Sequence, residues 1–349
     1  MNADPLYLDH AATTPLLPVA REAMAEGFAL WSNPSSPHKP GRAARAALED
    51  ARARIAAALG WDGEIVFTSG ASEALALAIS QCRLPLAGVA PVEHEAVLRH
   101  CDGIARLTVD SFGRVGPATA GHDGLVAVQH VNSETGVIQA LGDIYGAVHD
   151  AGGLLLADCA QSAGKIALPC ADLIAVAAHK FGGPIGIGAL LVRDWEMLKP
   201  TGGQERGYRP GTENLPAVLG MAAALEAGHA WLAEAERLRE ILEVGIAAGG
   251  GEPVAGIASR IPTIASYRMP GIAAPVQLIR FDAMGIAVSA GSACSSGSLK
   301  ASHVLSAMGM DEQAASEVIR VSIGRETSEP DIHRFLAAWT DIAKGRAAA

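Results

Sequence analysis

Lys180 stands in AVAAHKFGGPIGIGALLV, directly after an apolar run and before glycines and a proline that forbid simple helix continuation. Burial in so apolar a setting weakens a lysine's hold on its proton, and a neutral amine is what Schiff-base chemistry with a carbonyl group requires. The same residue also reads as an exposed turn lysine. Cys294 stands in VSAGSACSSGSLKASHVLSAMG, among Gly, Ser and Ala instead of the apolar neighbours of a structural cysteine. A loop of that composition can carry a thiol to a substrate and withdraw it, whereas Cys82, Cys101, Cys159 and Cys170 read as small core residues.

Further polar residues fall where apolar runs end. In LLLADCAQSAGK a continuous strand-like run stops at Asp158, at the edge where parallel sheets hold their ligands. A carboxylate there can pair with a protonated pyridine nitrogen, the contact that makes pyridoxal phosphate (PLP) an electron sink, with Gln161 close enough to reach the ring's other polar groups. Asp158 reads equally as a helix N-cap. Gly70 opens a helix after a strand, so the amides of Gly70, Ala71 and Ser72 can cradle a phosphate, or the segment can be a glycine turn capped by Ser72. His94, in APVEHEAVLRH, can stack on a cofactor ring or move protons, or serve structure alone. Asn132, in QHVNSETG, can bond a phenolic oxygen or shape a turn. Arg320, in EVIRVSIGR, can clamp a carboxylate in two-point fashion or form a surface salt bridge.

Positioning these residues requires alternating strands and helices. Residues 39–59 read as a charged-faced helix beginning after proline and glycine. Ile65 to Thr68 read as a strand leading through Gly70 into a helix, and Leu125 to Val131, Leu154 to Ala157 and Leu173 to Ala177 as further strands, with a helix over 140–151. Short apolar strands alternating with helices predict an α/β domain with a mostly parallel sheet and right-handed crossovers. A long amphipathic helix over 229–248 and a glycine-rich boundary at 249–256 predict a smaller C-terminal domain.

Composition bounds the partners. The chain has 349 residues, beyond the size at which one core keeps growing, and half of them are hydrophobic while 18% are charged. A net charge of -10 argues against a broad footprint on nucleic acid or anionic membrane. The N-terminus MNADPLYLDHAATTP lacks the basic and apolar regions of an export signal, and the five cysteines show no C-x-x-C spacing, so a reduced cytoplasmic setting is expected. The eleven histidines form no H-E-x-x-H pattern, and no metal is expected.

In order and spacing, YLDHAATTP, NPSSPH, TSGASEALALAI, VEHEAV, HVNSETGV, DCAQSAGK, HKFGGPIGIGAL, GGQERGYRPGTEN, SAGSACSSGSLKASHVLSAMG and IRVSIGRET resemble the cysteine desulfurases (NifS/IscS-like) of the class V aminotransferase group. The resemblance implies a fold-type I PLP-dependent enzyme with a seven-stranded, mostly parallel sheet and a smaller α+β domain. It implies a large domain over 16–232, with 1–15 and 233–349 forming the small domain that carries the Cys294 loop. By matched position Lys180 holds the cofactor, His94 stacks on its ring, Asp158 meets the pyridine nitrogen, and Asn132 and Gln161 address the ring oxygen. Ala71, Ser72 and His179 hold the phosphate, joined by Thr212 from a second subunit of a homodimer. Asn33 and Arg320 bind the carboxylate of L-cysteine, and Cys294 takes its sulfur as a persulfide for an acceptor protein. Ala177 departs from the pattern, standing where many relatives have a phosphate-contacting serine, and Ile185 replaces a common lysine. Selenocysteine lysis or transamination on the same fold, or a non-catalytic dimeric binding role, are the alternatives.

Overall fold

The structure, a computed structural model, describes residues 5–30, 32–291 and 302–345. The first part of the chain runs through β1 (Leu6–Tyr7), α1 (Pro18–Ala29), α2 (Lys39–Leu59), β2 (Glu64–Thr68), α3 (Ala71–Gln81), β3 (Leu86–Val89), α4 (Glu95–Leu98) and β4 (Ala105–Arg106). It continues through β5 (Leu125–Gln129), α5 (Leu141–Asp150), β6 (Leu154–Asp158), β7 (Leu173–Ala177), β8 (Gly188–Val192), α6 (Leu215–Glu226) and α7 (Leu232–Ala248). The remainder comprises β9 (Glu252–Pro253), β10 (Ile264–Arg268), α8 (Ala274–Ala283), β11 (Ile286–Ala287), α9 (His303–Ala307), α10 (Glu312–Ser316), β12 (Val318–Ser322) and α11 (Glu329–Lys344).

Seven strands form one sheet in the order β2-β8-β7-β6-β5-β3-β4. β8 runs antiparallel to both its neighbours, and the other paired strands are parallel. Every residue of β5, β7 and β8 is buried, which is why these strands read as unbroken apolar runs and not as alternating ones. Helices cover both faces. α2 presents Ala44, Leu48, Ala51, Ile55 and Leu59 at three- and four-residue intervals to the core, starting at His38, whose Nδ1 accepts from Gly41 N at 3.1 Å, and ending at Gly60 in a left-handed turn. α6 is buried around most of its circumference because α1 and α2 both pack on it.

A separate hydrophobic cluster gathers Leu6 and Leu8 from the N-terminus with α7, α8, α11 and the three-stranded antiparallel sheet β12-β10-β9. Few residues of this chain are aromatic, yet this cluster stacks Phe281 on Phe335 at 5.0 Å and sets Tyr267 edge-on to Trp339 at 6.5 Å. The segment 249–256, expected as a boundary, contributes β9, which pairs with β10. The strand expected to reach Val131 ends at Gln129; beyond it Val131 makes one bridge to Ile138 as the chain turns at Asn132. Among the described residues no helix is long and apolar enough to cross a membrane.

Candidate active site

The ends of β2, β3, β5, β6 and β7 point toward one edge of the sheet, and the residues singled out by their chemistry cluster there. Lys180 follows β7 in a single helical turn, Ala178–Lys180. It is no exposed turn lysine: Nζ donates to the carbonyls of Ala11 and Ala12 at 2.7 and 2.8 Å. The segment supplying those carbonyls is strapped across the turn, with Thr14 N donating to His179 O at 2.8 Å and Thr14 Oγ1 to Lys180 O at 3.2 Å. Gln161 Nε2 holds the same Ala11 carbonyl at 2.9 Å. His179 Nδ1 lies 3.2 Å from Thr13 Oγ1, and burial, followed by the charges of Lys180 and Lys165, lowers its pKa to about 4, so the ring is neutral at pH 7.

Asp158, the last residue of β6, accepts from Ala160 N at 2.9 Å and is followed by turns, so it caps no α-helix. Burial raises its pKa against the pull of His94 and Lys180. Glu93 lies behind it, 1% exposed, with Oε1 accepting from Gln129 N at 2.5 Å. Burial and the Asp158 charge push the Glu93 pKa well above the carboxylate range. His94 caps α4 by accepting Ala96 N at Nδ1, 3.1 Å, which leaves Nε2 as the proton-bearing nitrogen of the neutral ring. Desolvation lowers its pKa, opposed by Asp158 and reinforced by Lys180.

Beside this cluster α3 begins at Gly70, whose φ of 153° and ψ of 178° are open to glycine alone. No side chain caps the helix, so the serine-capped turn is not what forms, and the first-turn amides at Ala71 and Ser72 have no intrahelical acceptor. Nothing lies within 4 Å of where a Cβ at Gly70 would stand. On the strand side the approach is close: a Cβ at Gly188 would lie 2.7 Å from the Gly70 Cα. Ala177, the end of β7, pairs with Gly188 and offers no hydroxyl there.

Arg320 is 3% exposed and no surface residue. Its guanidinium donates to Asp9 Oδ1 at 2.8 Å and to Ser133 O at 3.0 Å, while Nε is buried without a partner. Asn132 is buried and organises its own turn: Oδ1 accepts from Glu134 N, Thr135 N and Thr135 Oγ1, and Nδ2 donates to Val92 O, leaving one amide hydrogen. Asn33 and Thr212 are exposed, Asn33 accepting from Ser35 N at 2.8 Å in a local turn. Cys294 lies outside the described residues.

Several contributors carried no local signal. The Ala11 and Ala12 carbonyls and Arg209, 2.9 Å from Glu73, are brought in by chain far away in sequence, while Glu93 stands next to His94. Their residue types are ordinary, and only the presence of an acid beside His94 in VEHEAV hinted at one of them.

The donors fit PLP. An uncapped helix N-terminus with open space beside Gly70 suits a phosphate. A buried carboxylate at Asp158 with one amide bonded to it suits a cationic ring nitrogen. The buried Gln161 Oε1 has no partner, and Lys180 is the amine that reaches the same edge.

An α/β enzyme with an amine, an anion cradle and a buried carboxylate at one sheet edge is the class that fold and site define. The chain belongs to the aminotransferase class-V family, whose model matches residues 6–335, and within it to the cysteine desulfurases; the family is PLP-dependent. It is 36% identical to a cysteine desulfurase of Gluconacetobacter diazotrophicus over 98% of this chain and 94% of that one. It is 33% identical to the cysteine desulfurase IscS of Dictyoglomus turgidum over 95% and 92%. Among solved structures, a NifS-like protein from Rickettsia africae superposes with a TM-score of 0.88 at 28% identity, covering 97% of this chain and 99% of the other.

Proposed function

We propose that this protein removes sulfur from L-cysteine, leaving L-alanine, with Lys180 as the lysine that holds PLP and Cys294 as the thiol that receives the sulfur. The observation that carries this is the meeting of Lys180, Asp158 and His94 at one sheet edge beside the uncapped start of α3. Ala71, Ser72 and His179 would hold the phosphate, with Thr212 of a second copy. Asp158 would keep the ring nitrogen protonated, and Asn132 and Gln161 would face the ring oxygen through the Asn132 amide hydrogen and the unpartnered Gln161 oxygen. Bound PLP supplies an electron sink for negative charge at the substrate's α-carbon.

Arg320 receives the substrate carboxylate, its free Nε–H supplying a donor beyond those spent on Asp9 and Ser133, and Asn33 joins it. Lys180, released from its carbonyls, takes the α-proton and returns it. His94 stacks over the ring and exchanges protons from Nε2. The Cys294 thiolate attacks the substrate sulfur: a sulfur–sulfur bond forms, the carbon–sulfur bond breaks, and its electron pair stays with the carbon that becomes the alanine methyl after protonation. The persulfide then passes to an acceptor protein, of which iron-sulfur assembly is one destination.

The protein works as a cytoplasmic homodimer in this reading. Phe28 on α1, 64% exposed, and Ile185, 77% exposed in the loop after Lys180, with Leu16 and Val19 between, form apolar surface next to the site that a second copy would cover. The large domain spans 16–232, and 1–15 with 233–349 form the small one, a division supported by the separate cluster that unites Leu6 and Leu8 with α7 and α11.

The test compares wild type with Cys294→Ala, each given L-cysteine. Both should show absorbance near ~420 nm from the lysine-bound cofactor. Wild type alone should form alanine and a protein persulfide, and full sulfur transfer by the variant would overturn the role of Cys294.

A further inference from the structure

Behind Lys180, between the turn that carries it and the segment after β12, lies an enclosed cavity of ≈ 20 Å³, room for one water-sized guest. Its walls include His10, Lys165, Lys180, Thr263 and Arg325, and no carboxylate. Lys165 is 5% exposed. A lysine so deep in a protein ordinarily has an acid beside it. The charged and titratable groups that face this one are all basic: His10 from the N-terminal segment, His179 and Lys180 from the turn after β7, and Arg325 beyond β12. His10 Nδ1 and Thr263 Oγ1 are buried without partners, and His10 lies so close to Gly324 that a Cβ there would meet Nδ1 at 2.3 Å. The cavity thus offers two unspent polar atoms beside two amines.

We infer that Lys165 is a positioning residue for Lys180: the two amines hold one proton between them, Lys165 taking a proton up when Lys180 is discharged and giving it up when Lys180 is recharged. Burial, and after it the charge of Lys180, lowers the Lys165 pKa to about 7. Removing the Lys180 charge lifts the second cause and restores part of the proton affinity of Lys165. A proton arriving on Lys180 Nζ is therefore offset by one leaving Lys165 Nζ; both amines line the cavity, whose walls hold no carboxylate, and the carboxylate coupled to Lys180, Asp158, is outside it. Lys180 becomes a base that is readily emptied within a partly buried site.

This rests on Lys180 as the cofactor lysine, and the experiment separates the two ideas. Apo-protein is mixed with PLP in weak buffer, and the protons released per PLP bound are counted with an indicator dye in wild type and Lys165→Met. At about pH 8 the wild type should release fewer protons than the variant, by up to about one per chain, because Lys165 recaptures one. Near about pH 6 the counts should converge, Lys165 being protonated before and after. Equal counts at both pH values overturn the inference while leaving Lys180 in place, whereas a Lys180→Ala protein that still binds PLP covalently overturns the role of Lys180. Should Lys165→Met fail to fold, the wild type alone decides. Its release should fall by about one proton from about pH 6 to about pH 8, beyond the change for PLP condensing with a free lysine amide. No such fall also overturns the inference.

Discussion

Arg209 reaches Glu73 across 136 positions of chain, Nε to Oε1 at 2.9 Å, and Glu73 in turn accepts the backbone N–H of Ser69. The segment GGQERGYRPGTEN is thereby fastened to the turn that opens α3. Despite burial, Arg209 and the Ser69 amide keep the Glu73 pKa below the usual value, so the pair is ionised at neutral pH. Arg209→Ala should release Glu73, loosen the first turn of α3 and weaken PLP retention by about five-fold, the worth of a partly exposed charged hydrogen bond. Equilibrium dialysis against PLP measures this, and unchanged retention would show that the fastening has no bearing on the turn.

Glu93→Gln isolates one pH effect. Because the folded pKa of Glu93 is raised, its contribution to stability is fully present below about pH 4, where the carboxyl is protonated folded and unfolded, and is lost as pH rises through the folded pKa. The variant carries no such loss and keeps an oxygen for Gln129 N. Its denaturation midpoint relative to wild type should therefore climb as pH is raised from about 4 toward 8. A difference in midpoint that stays constant with pH would contradict the assignment.

Glu205→Ala tests the strain stored near β2. Glu205 accepts both guanidinium nitrogens of Arg52, at 2.9 and 3.0 Å, and the amide of Phe67 at 2.8 Å. Glu205 and Arg206 hold φ of 45° and 56° to do so. Removing the carboxylate leaves the buried Phe67 amide unpaired and Arg52 with only Glu49 and the Ile65 carbonyl, and urea unfolding should report a loss of about 2 to 4 kcal/mol. A loss under about 1 kcal/mol would mean that water replaces the carboxylate readily.

Ile185→Asp places a charge on the most exposed apolar side chain beside the site. On the proposed dimer, sedimentation should show the mass of a single chain where the wild type should show two, with PLP retention lowered by loss of the proposed Thr212 contact. A dimer of undiminished stability would move the interface elsewhere.

Local pattern carried much of the fold. α2 spans the residues its composition marks, and β7 coincides with the apolar run Leu173–Ala177, because helix caps and unbroken apolar strands are written in neighbouring residues. The turn at Gly70 was legible for the same reason. What could not be read was contact between distant segments: that Ala11 and Ala12 would lend carbonyls to Lys180, that Glu205 would cross to Arg52, or that Glu252–Pro253 would pair with β10. Small or surface-type residues do those jobs through their backbone or after burial, and nothing in their spacing announces it. Asn132 and Arg320 show the middle case, flagged by type yet spending most of their hydrogen bonds on structure.

The reversed direction of β8 has a mechanical side. β7 and β8 are adjacent and antiparallel, Ala177 facing Gly188, so the stretch carrying Lys180 is a hairpin with both feet bonded into the centre of the sheet. Such a stretch cannot swing aside to let a molecule in or out, and the main chain of Lys180 acts as a fixed post. The strap from His10 to Thr14 leans on that post from outside, joined to it by hydrogen bonds from Thr14 and Lys180 and anchored on its other side by Gln161 and Ser322, so the post and the strap brace each other.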